Sequence, residues 1–194
     1  EVQVQDPDGR PLAQGSSQAA VTPVTPPPPP PPGSLRRAEE PVYATPDPYL
    51  RQTTLPADIH RGLGGVAGSL EVIRNALEGQ ARSPLADLLG LHDGFIEDET
   101  VGMSMPASEW LCCFTREVSP AALAGLANMT GWMGSLTLHP PGHWMAGLDL
   151  VVRFHGQALP DGRNLRGSSS GVLPGEGNVV VAPISVVDAD DRLL

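Results

Sequence analysis

Residues 119–138, SPAALAGLANMTGWMGSLTL, decide the fold because they join the clearest helix start of the chain to a strand-like pattern. The opening Ser-Pro pair places a capping hydroxyl before a proline at the first helical position. We expect a helix over Ala121–Met129 that Gly131 ends. Trp132–His139 then predicts a strand, because apolar and polar side chains alternate along it.

Further short strands are expected on both sides of this stretch. Trp110–Val118 is β-prone, since it is rich in aromatic residues and cysteine. Leu148–His155 has the cleanest alternation in the chain, and Asn178–Val187 predicts a last strand that Pro183 places at an edge or bulge. The Gly-, Ser- and Asn-rich residues 159–177 predict a loop. The body is therefore expected to contain mainly short antiparallel strands.

Two helices are expected ahead of these strands. The first follows from apolar residues at helical spacing, namely Val66, Leu70, Ile73 and Leu77. The second is short, with Ser83 as its cap, Pro84 at its first position and Gly90 at its end. The acidic residues 97–99 predict a solvated loop.

The composition changes sharply near Pro56. Residues 1–56 hold 14 of the 22 prolines, including the unbroken run Pro26–Pro32, which can only form polyproline II. The polar residues around this run cannot build a core. We therefore predict a disordered, Pro-rich N-terminal arm over 1–56 and a domain over 57–194. The arm is a spacer or, alternatively, a ligand for SH3-type or WW-type domains.

Charge and cysteine content exclude several classes of protein. The net charge of -10 argues against a protein that neutralises nucleic-acid phosphates. No apolar run reaches the roughly 18 residues of a membrane span. The chain begins with Glu1 and no signal sequence precedes it, which indicates a processed product or a fragment. Adjacent Cys112 and Cys113 indicate free thiols in a reducing compartment, because a bridge between neighbours is strained.

Two glycine motifs match known sites by letters alone. Residues 62–67 match the dinucleotide fingerprint GxGxxA, but no apolar strand precedes them, so we interpret them as the start of a helix. Residues 167–171 match GxSxG, whose nucleophile would be Ser169. Loop-like residues surround this motif, which favours a chance match. A serine hydrolase is therefore only an alternative.

Metal chemistry has little support in the sequence. His139 and His143 have a spacing that suits a helix, but Pro-Pro-Gly lies between them and prevents one. A zinc site would need His155 and the cysteine pair as well. We predict no catalytic residue, no cofactor and no metal, and we expect that the chain is not an enzyme.

The residues from Ser119 to Pro160 resemble the capsid proteins of picornavirus-like and calicivirus-like RNA viruses, a superfamily that includes the secoviruses. The matching features are an aromatic-Gly-Ser-Leu strand (Trp132–Leu136), a strand with small residues (Met145–Phe154), a Pro-containing loop (Ala158–Gly162) and a strand that ends in Pro-x-Ser (Val179–Ser185). Together the resemblance spans Trp110 to Ser185.

This resemblance implies an antiparallel β-sandwich, the viral jelly roll, that assembles into an icosahedral shell. About four strands are visible where a jelly roll has eight, so residues 57–194 would be only the N-terminal portion of it. The implied partners are other copies of the chain, other capsid subunits or the rest of the coat protein, with weak contact to packaged RNA. The implied location is the virion, and the host cytoplasm during assembly.

The main alternative is a non-viral scaffold or adaptor, in which the Pro-rich arm is a ligand tethered to a small α+β domain. Under the capsid interpretation, half a jelly roll would leave two sheet edges unpaired. We therefore expect that the isolated chain is not a well-behaved monomer.

Overall fold

The computed structural model describes residues 2–5, 11–15, 74–75, 84–138, 149–170, 172–174 and 180–194. The chain divides into two compact units, Glu1–Pro41 and Val42–Leu194. In the first unit, strands β1 (Val2–Gln5) and β2 (Pro11–Gly15) pair as an antiparallel hairpin. This hairpin lies within the predicted arm. The domain boundary near Pro56 stays a prediction, and Pro26–Pro32 lies outside the described residues.

The second unit contains two helices, one 3-10 turn and six strands in its described part. They are α1 (Pro84–Leu89), β3 (His92–Glu97), β4 (Thr100–Pro106), the 3-10 turn Glu109–Leu111, α2 (Pro120–Leu136), β5 (Asn164–Ser169), β6 (Leu173–Pro174), β7 (Val180–Val181) and β8 (Ile184–Val187). Strands β3, β4, β5 and β8 form one antiparallel sheet in that order, and β6 pairs with β7. Neither helix is long and apolar enough to cross a membrane.

Helix α2 lies across one face of the four-stranded sheet. Its Leu126 is fully buried, as are Val101 and Met105 of β4. In the central strand β5, alternate residues point inward. Two of these inward residues lie opposite buried residues of β4: Leu165 pairs with Met105, and Ser169 pairs with Val101. Burying each large apolar side chain contributes about 1.5–3 kcal/mol, which makes this helix–sheet interface the core of the unit.

Small residues bring α2 close to the sheet. A Cβ on Gly167 of β5 would collide with the hydroxyl of Thr130, which donates to the carbonyl of Leu126 at 2.8 Å. A Cβ on Gly131 would lie 2.5 Å from Cδ1 of Ile184. The glycine that was expected to end the helix at 131 is therefore needed inside it. Since α2 continues to Leu136, the predicted strand Trp132–His139 is wrong.

Two other predicted elements also differ from the structure. Trp110–Val118 is not a strand: the hydroxyl of Ser108 caps the 3-10 turn by accepting from the Trp110 N–H at 3.2 Å, and the chain then turns back so that Cys112 pairs with Val118. The predicted loop 159–177 contains β5, the strand between β4 and β8. The β3–β4 hairpin was not predicted. Its turn contains Asp98 and Glu99, which belong to the acidic stretch that was predicted to be a solvated loop.

Several predictions are confirmed. The short helix begins at Pro84 and ends at Leu89, and the helix after Ser119 begins at Pro120. The last strand, predicted as one over Asn178–Val187, is divided at Pro183 into β7 and β8, which belong to different sheets; the predicted edge position holds for β8. The helix predicted around Val66–Leu77 lies mostly outside the described residues, where only 74–75 are described as helical.

The mainly antiparallel β architecture with few helices is confirmed, but the jelly roll is wrong. A jelly roll packs a second sheet against the inner face of the first. Here α2, 17 residues long, occupies that face. The physical reason is the run of small residues in α2 and β5, which fits a helix closely against the strands.

An ion-pair network holds the turn after β8 against the start of β5. Arg163 bonds Asp161 at 2.7 Å and Asp190 at 2.9 Å, while Arg192 bonds Asp188 at 2.8 Å. Hydrogen bonds from Arg163 lower the pKa of Asp161 and of Asp190, and the backbone N–H of Arg192 lowers the pKa of Asp188.

This network predicts a loss of stability in acid. Because the folded-state pKa values are depressed, the carboxylates stabilise the fold above their unfolded pKa of about 4, and this contribution is lost as the pH falls through the lower folded values. We expect the melting temperature of an Arg163→Gln variant to fall less steeply below about pH 4 than that of the wild type. Identical slopes in a pH series of thermal melts would contradict this prediction.

Candidate functional site

A cleft of about 370 Å³ lies between α2 and residues 150–155, which form no regular secondary structure. Its lining is mainly apolar and includes Leu123, Ala127, Val152, Phe154, Ile184 and Leu194. The alternating sequence Leu148–His155 was predicted to form a strand, and its residues 149–155 are described. Instead, the backbone hydrogen bond that joins it to the other described elements is from His155 N–H to the carbonyl of Leu194, at 2.8 Å. The segment therefore forms one wall of the cleft.

Side chains of α2 and β8 and the last residues of the chain border the cleft. Leu123 and Ala127 lie four residues apart, so they share a face of α2. Ile184, which also lines the cleft, packs closely over Gly131 one turn further along that face. The oxygen of Leu194 accepts from the His155 N–H, and the Leu194 N–H donates to Val186 at 3.0 Å. Backbone hydrogen bonds therefore tie this part of the lining to the sheet.

The charged side chains of the cleft's described lining are basic. They are Arg153 and His155, both of which are exposed. Helix α2 contributes no ionisable side chain, because Pro120–Leu136 contains no titratable residue. The described lining thus combines mainly apolar side chains with two basic ones.

His155 also borders a second, more polar cleft. This space of about 410 Å³ shares His155, Leu193 and Leu194 with the first cleft and reaches the ion pairs around Arg163. His155 therefore lies where an apolar and a polar region meet. From the sequence, His155 was a candidate metal ligand at the end of a predicted strand. The only sequence signal near His155 was the alternation in residues 148–155, which indicated that this segment borders an apolar region.

Ser169, the serine of the GxSxG motif, is not a nucleophile of the elbow type. It lies in β5 between two antiparallel neighbours, 1% exposed, and not on a turn between a strand and a helix. Its Oγ has no hydrogen-bond partner in the described structure and faces Gly134 of α2. The serine-hydrolase alternative is therefore not supported.

Replacing Ser169 by alanine should stabilise the protein. A buried hydroxyl without a partner costs about 1–3 kcal/mol, and alanine removes it while keeping the Cβ. We expect the free energy of unfolding to rise by about 1 kcal/mol in chemical denaturation. A loss of stability would show that the hydroxyl has a partner in the folded state.

The remaining predicted sites cannot be assembled from the described residues. Residues 62–67, His139 and His143 lie outside them. Within the described ranges, no group of three or more His, Cys, Asp or Glu side chains could hold a metal ion. Cys112 and Cys113 are both free thiols.

The two thiols have different electrostatic environments. Sγ of Cys113 lies 2.8 Å from the hydroxyl of Thr115, and this hydrogen bond lowers the pKa of the thiol. Burial raises the pKa of Cys112. The thiolate, which is the nucleophilic form, is therefore favoured at Cys113.

We expect Cys113 to react with iodoacetamide faster than Cys112 under mildly alkaline conditions. Peptide mass spectrometry after timed quenching measures both rates. In a Thr115→Val variant the rate at Cys113 should fall, because the hydroxyl no longer stabilises the thiolate. Equal rates in the wild type would contradict the assignment.

The fold of this chain is similar to that of solved thioesterases. No protein-family model and no curated protein matches the sequence significantly. A thioesterase from Haemophilus influenzae is 16% identical, with a TM-score of 0.53 over 62% of this chain and 82% of that one. The PaaI protein of the E. coli phenylacetic acid degradation operon is 14% identical, with a TM-score of 0.52 over 62% and 84%. At these identities the likeness establishes the fold, the hotdog fold, in which a helix lies against an antiparallel sheet.

The predicted capsid family is therefore wrong, since the similar structures are a thioesterase and the PaaI protein and not capsid proteins. The predicted icosahedral shell, capsid partners, RNA contact and location in the virion and host cytoplasm are wrong with it, because they rested on that resemblance. The expectation that the chain is not an enzyme is overturned by the same neighbours. The stretch that suggested a capsid strand, Trp132–Leu136, is the last part of α2.

Proposed function

We propose that this chain hydrolyses acyl thioesters and that its cleft binds the acyl group. The observation that carries the proposal is the mainly apolar cleft between α2 and residues 150–155, which His155 lines. The fold supports the same chemistry, because a solved structure with this fold is a thioesterase. Since fold alone does not determine activity, the side chains at the cleft must supply the chemistry.

The proposed reaction is attack of water on the thioester carbonyl. Imidazole is the side chain that most often serves as a general base, and His155 is the histidine of the described lining. It would take a proton from water as the oxygen bonds to the carbonyl carbon. The carbon–sulfur bond then breaks, and the thiolate leaves and takes up that proton. Arg153, which lines the same cleft, would stabilise the negative charge that develops on the carbonyl oxygen.

A second candidate is binding of acyl thioesters without hydrolysis. One observation favours it: α2, which supplies one wall of the cleft, has no titratable side chain between Pro120 and Leu136. Catalysis would then depend on exposed residues of the opposite wall alone. Under this alternative the cleft would still hold the acyl group.

One experiment with two measurements separates the two candidates. The purified chain is incubated with thioesters of apolar acyl groups, and release of the free thiol is followed with a thiol-reactive dye. Binding of a thioether analogue, which cannot be hydrolysed, is measured by calorimetry. Release of thiol supports the hydrolase, binding without release supports the second candidate, and neither result rejects both.

A further inference from the structure

We propose that the edge of β8 that borders the first cleft binds an extended peptide as an added strand, and that this peptide alternates acidic and apolar side chains. Peptides are recognised in this way at exposed sheet edges, where main-chain hydrogen bonds provide affinity and side-chain contacts provide specificity. Such binding goes beyond thioester chemistry and does not depend on it, because a bound peptide requires no turnover.

The main chain of β8 borders the cleft. Three consecutive residues of this strand line it, namely Ile184, Ser185 and Val186. Successive side chains of a strand point to opposite faces, so consecutive residues line one space by sharing a main-chain edge with it. That edge faces away from β5, because β8 is the last strand of the sheet. The cleft therefore has a sheet edge as one of its borders.

The backbone groups of Ile184 point into this border. Backbone groups of an antiparallel strand point alternately to its two sides. The carbonyl of Val186 accepts from the Leu194 N–H at 3.0 Å, so Val186 directs its groups away from β5. Ile184, two residues earlier, directs its N–H and carbonyl to the same side. In the described part of the chain, no backbone hydrogen bond joins Ile184 to a residue beyond this edge. An incoming strand would find a donor and an acceptor there.

Leu193 and Leu194 already occupy part of the position of such a strand. Leu193 pairs antiparallel with Val187. Leu194 bonds both sides of the cleft: its N–H donates to Val186, and its oxygen accepts from the His155 N–H at 2.8 Å. Neighbouring strands lie about 4.8 Å apart, so the two sides are separated here by about two strand spacings. One extended chain fits this width, in line with Leu194 and antiparallel to β8.

The lining determines which side chains the peptide should carry. Leu123 and Ala127 of α2 give the cleft an apolar surface, whereas its basic side chains, Arg153 and His155, are exposed. The side chains of an added strand would alternate between these two surroundings. Apolar side chains therefore suit every second position, and acidic side chains suit the positions between them, where their charge complements that of Arg153.

The probe is a capped peptide of about six residues, a usual strand length, in which aspartate and valine alternate. Its binding to the 194-residue chain is measured by calorimetry. The same peptide with lysine in place of aspartate should bind at least about fivefold more weakly, because its charges are repelled. The aspartate peptide with N-methylated amides should bind at least about tenfold more weakly, because it cannot donate main-chain hydrogen bonds. Equal affinity of the aspartate peptide and either control overturns the proposal.

Two substitutions at Ile184 test the place of binding. Ile184→Pro removes the N–H that faces the cleft, and proline is tolerated at the first residue of a strand. Ile184→Ala is the matched control, because it also loses the contact with Gly131 but keeps the N–H. The proline variant should bind the aspartate peptide about two- to tenfold more weakly than the alanine variant, the effect of one lost hydrogen bond. Equal affinities of the two variants would show that the edge of β8 does not hold the peptide.

Amide hydrogen exchange of the unchanged protein distinguishes other occupants of this edge. In the free chain, the Ile184 amide should exchange much faster than that of Ser185, whose backbone groups face β5. Bound aspartate peptide should slow the exchange at Ile184. An Ile184 amide that is already slow in the free chain overturns the proposal, because residues 150–154 or a second copy of the chain would then cover the edge.

Discussion

Substitution of His155 by glutamine is expected to lower the turnover of an acyl thioester by about 10²–10⁴-fold, the contribution of a positioned general base. Glutamine keeps a polar side chain at the junction of the two clefts but cannot take a proton from water. The backbone hydrogen bond from residue 155 to Leu194 does not involve the side chain, so the wall of the cleft should remain in place. Turnover is measured by thiol release, and thioether binding should change by less than about threefold if the role is chemical.

His92 offers a matched control. It lies in β3, at the opposite edge of the sheet from β8, and its Nδ1 bonds the carbonyl of Gly90 at 2.9 Å. It lines neither cleft. His92→Gln should leave turnover unchanged. Full turnover in His155→Gln, or an equal loss in both variants, would contradict the assignment of His155 as the base.

The second large effect is expected in the core, at Gly134. In the middle of a helix, Gly→Ala normally stabilises by up to about 1 kcal/mol. Here a Cβ would collide with Oγ of Ser169 and lie 2.8 Å from its Cβ, on a short side chain in the sheet that cannot move aside. We expect Gly134→Ala to lower the free energy of unfolding by about 1–3 kcal/mol, measured by chemical denaturation.

Gly125 in the same helix provides the control. A Cβ there would meet Cδ1 of Leu89 at 2.9 Å, which is the far end of a flexible side chain. Gly125→Ala should therefore be neutral or stabilising. Adding Ser169→Gly to Gly134→Ala should recover at least about 1 kcal/mol through coupling of the two sites. Additive effects would mean that these residues do not limit the approach of α2 to the sheet.

Local signals predicted where helices begin and failed to predict where α2 ends. The Ser-Pro pair at 119–120 acts through a side-chain cap and a fixed backbone angle, and both depend only on neighbouring residues. Gly131 looks like a helix end by the same local rules. Its actual role is to make room for Ile184, which lies far along the chain, and no local rule contains that contact.

The central strand β5 shows even more clearly that local sequence rules do not contain contacts between distant residues. Residues 164–169, NLRGSS, have little β-propensity and were assigned to a loop. They form β5 because ladders with β4 and β8 satisfy their backbone groups, and because Gly167 and Ser169 are small enough to lie under α2. The residues that weaken a strand in isolation are the ones that the helix requires.

The candidate site could be predicted in part. The apolar stripe of α2 was visible and correctly indicated one wall of the cleft. The alternation in residues 148–155 predicted one apolar face, but consecutive residues from Leu150 to His155 line the cleft. Their separation in space was not visible, since an alternating segment was expected to pair as a strand. The cleft exists because this segment lies apart from β8, joined to the sheet edge through His155 and Leu194.

By itself, the sequence determined the starts of α1 and α2, the mainly antiparallel β character and the edge position that Pro183 implies. These depend on capping, alternation and proline geometry, which act within a few residues. The tertiary structure alone decided the length of α2, the place of β5 and the choice between a sandwich and a helix held against one sheet. Each of those depends on contacts between small residues that are distant in the chain, and these appear only when the helix and the strands pack.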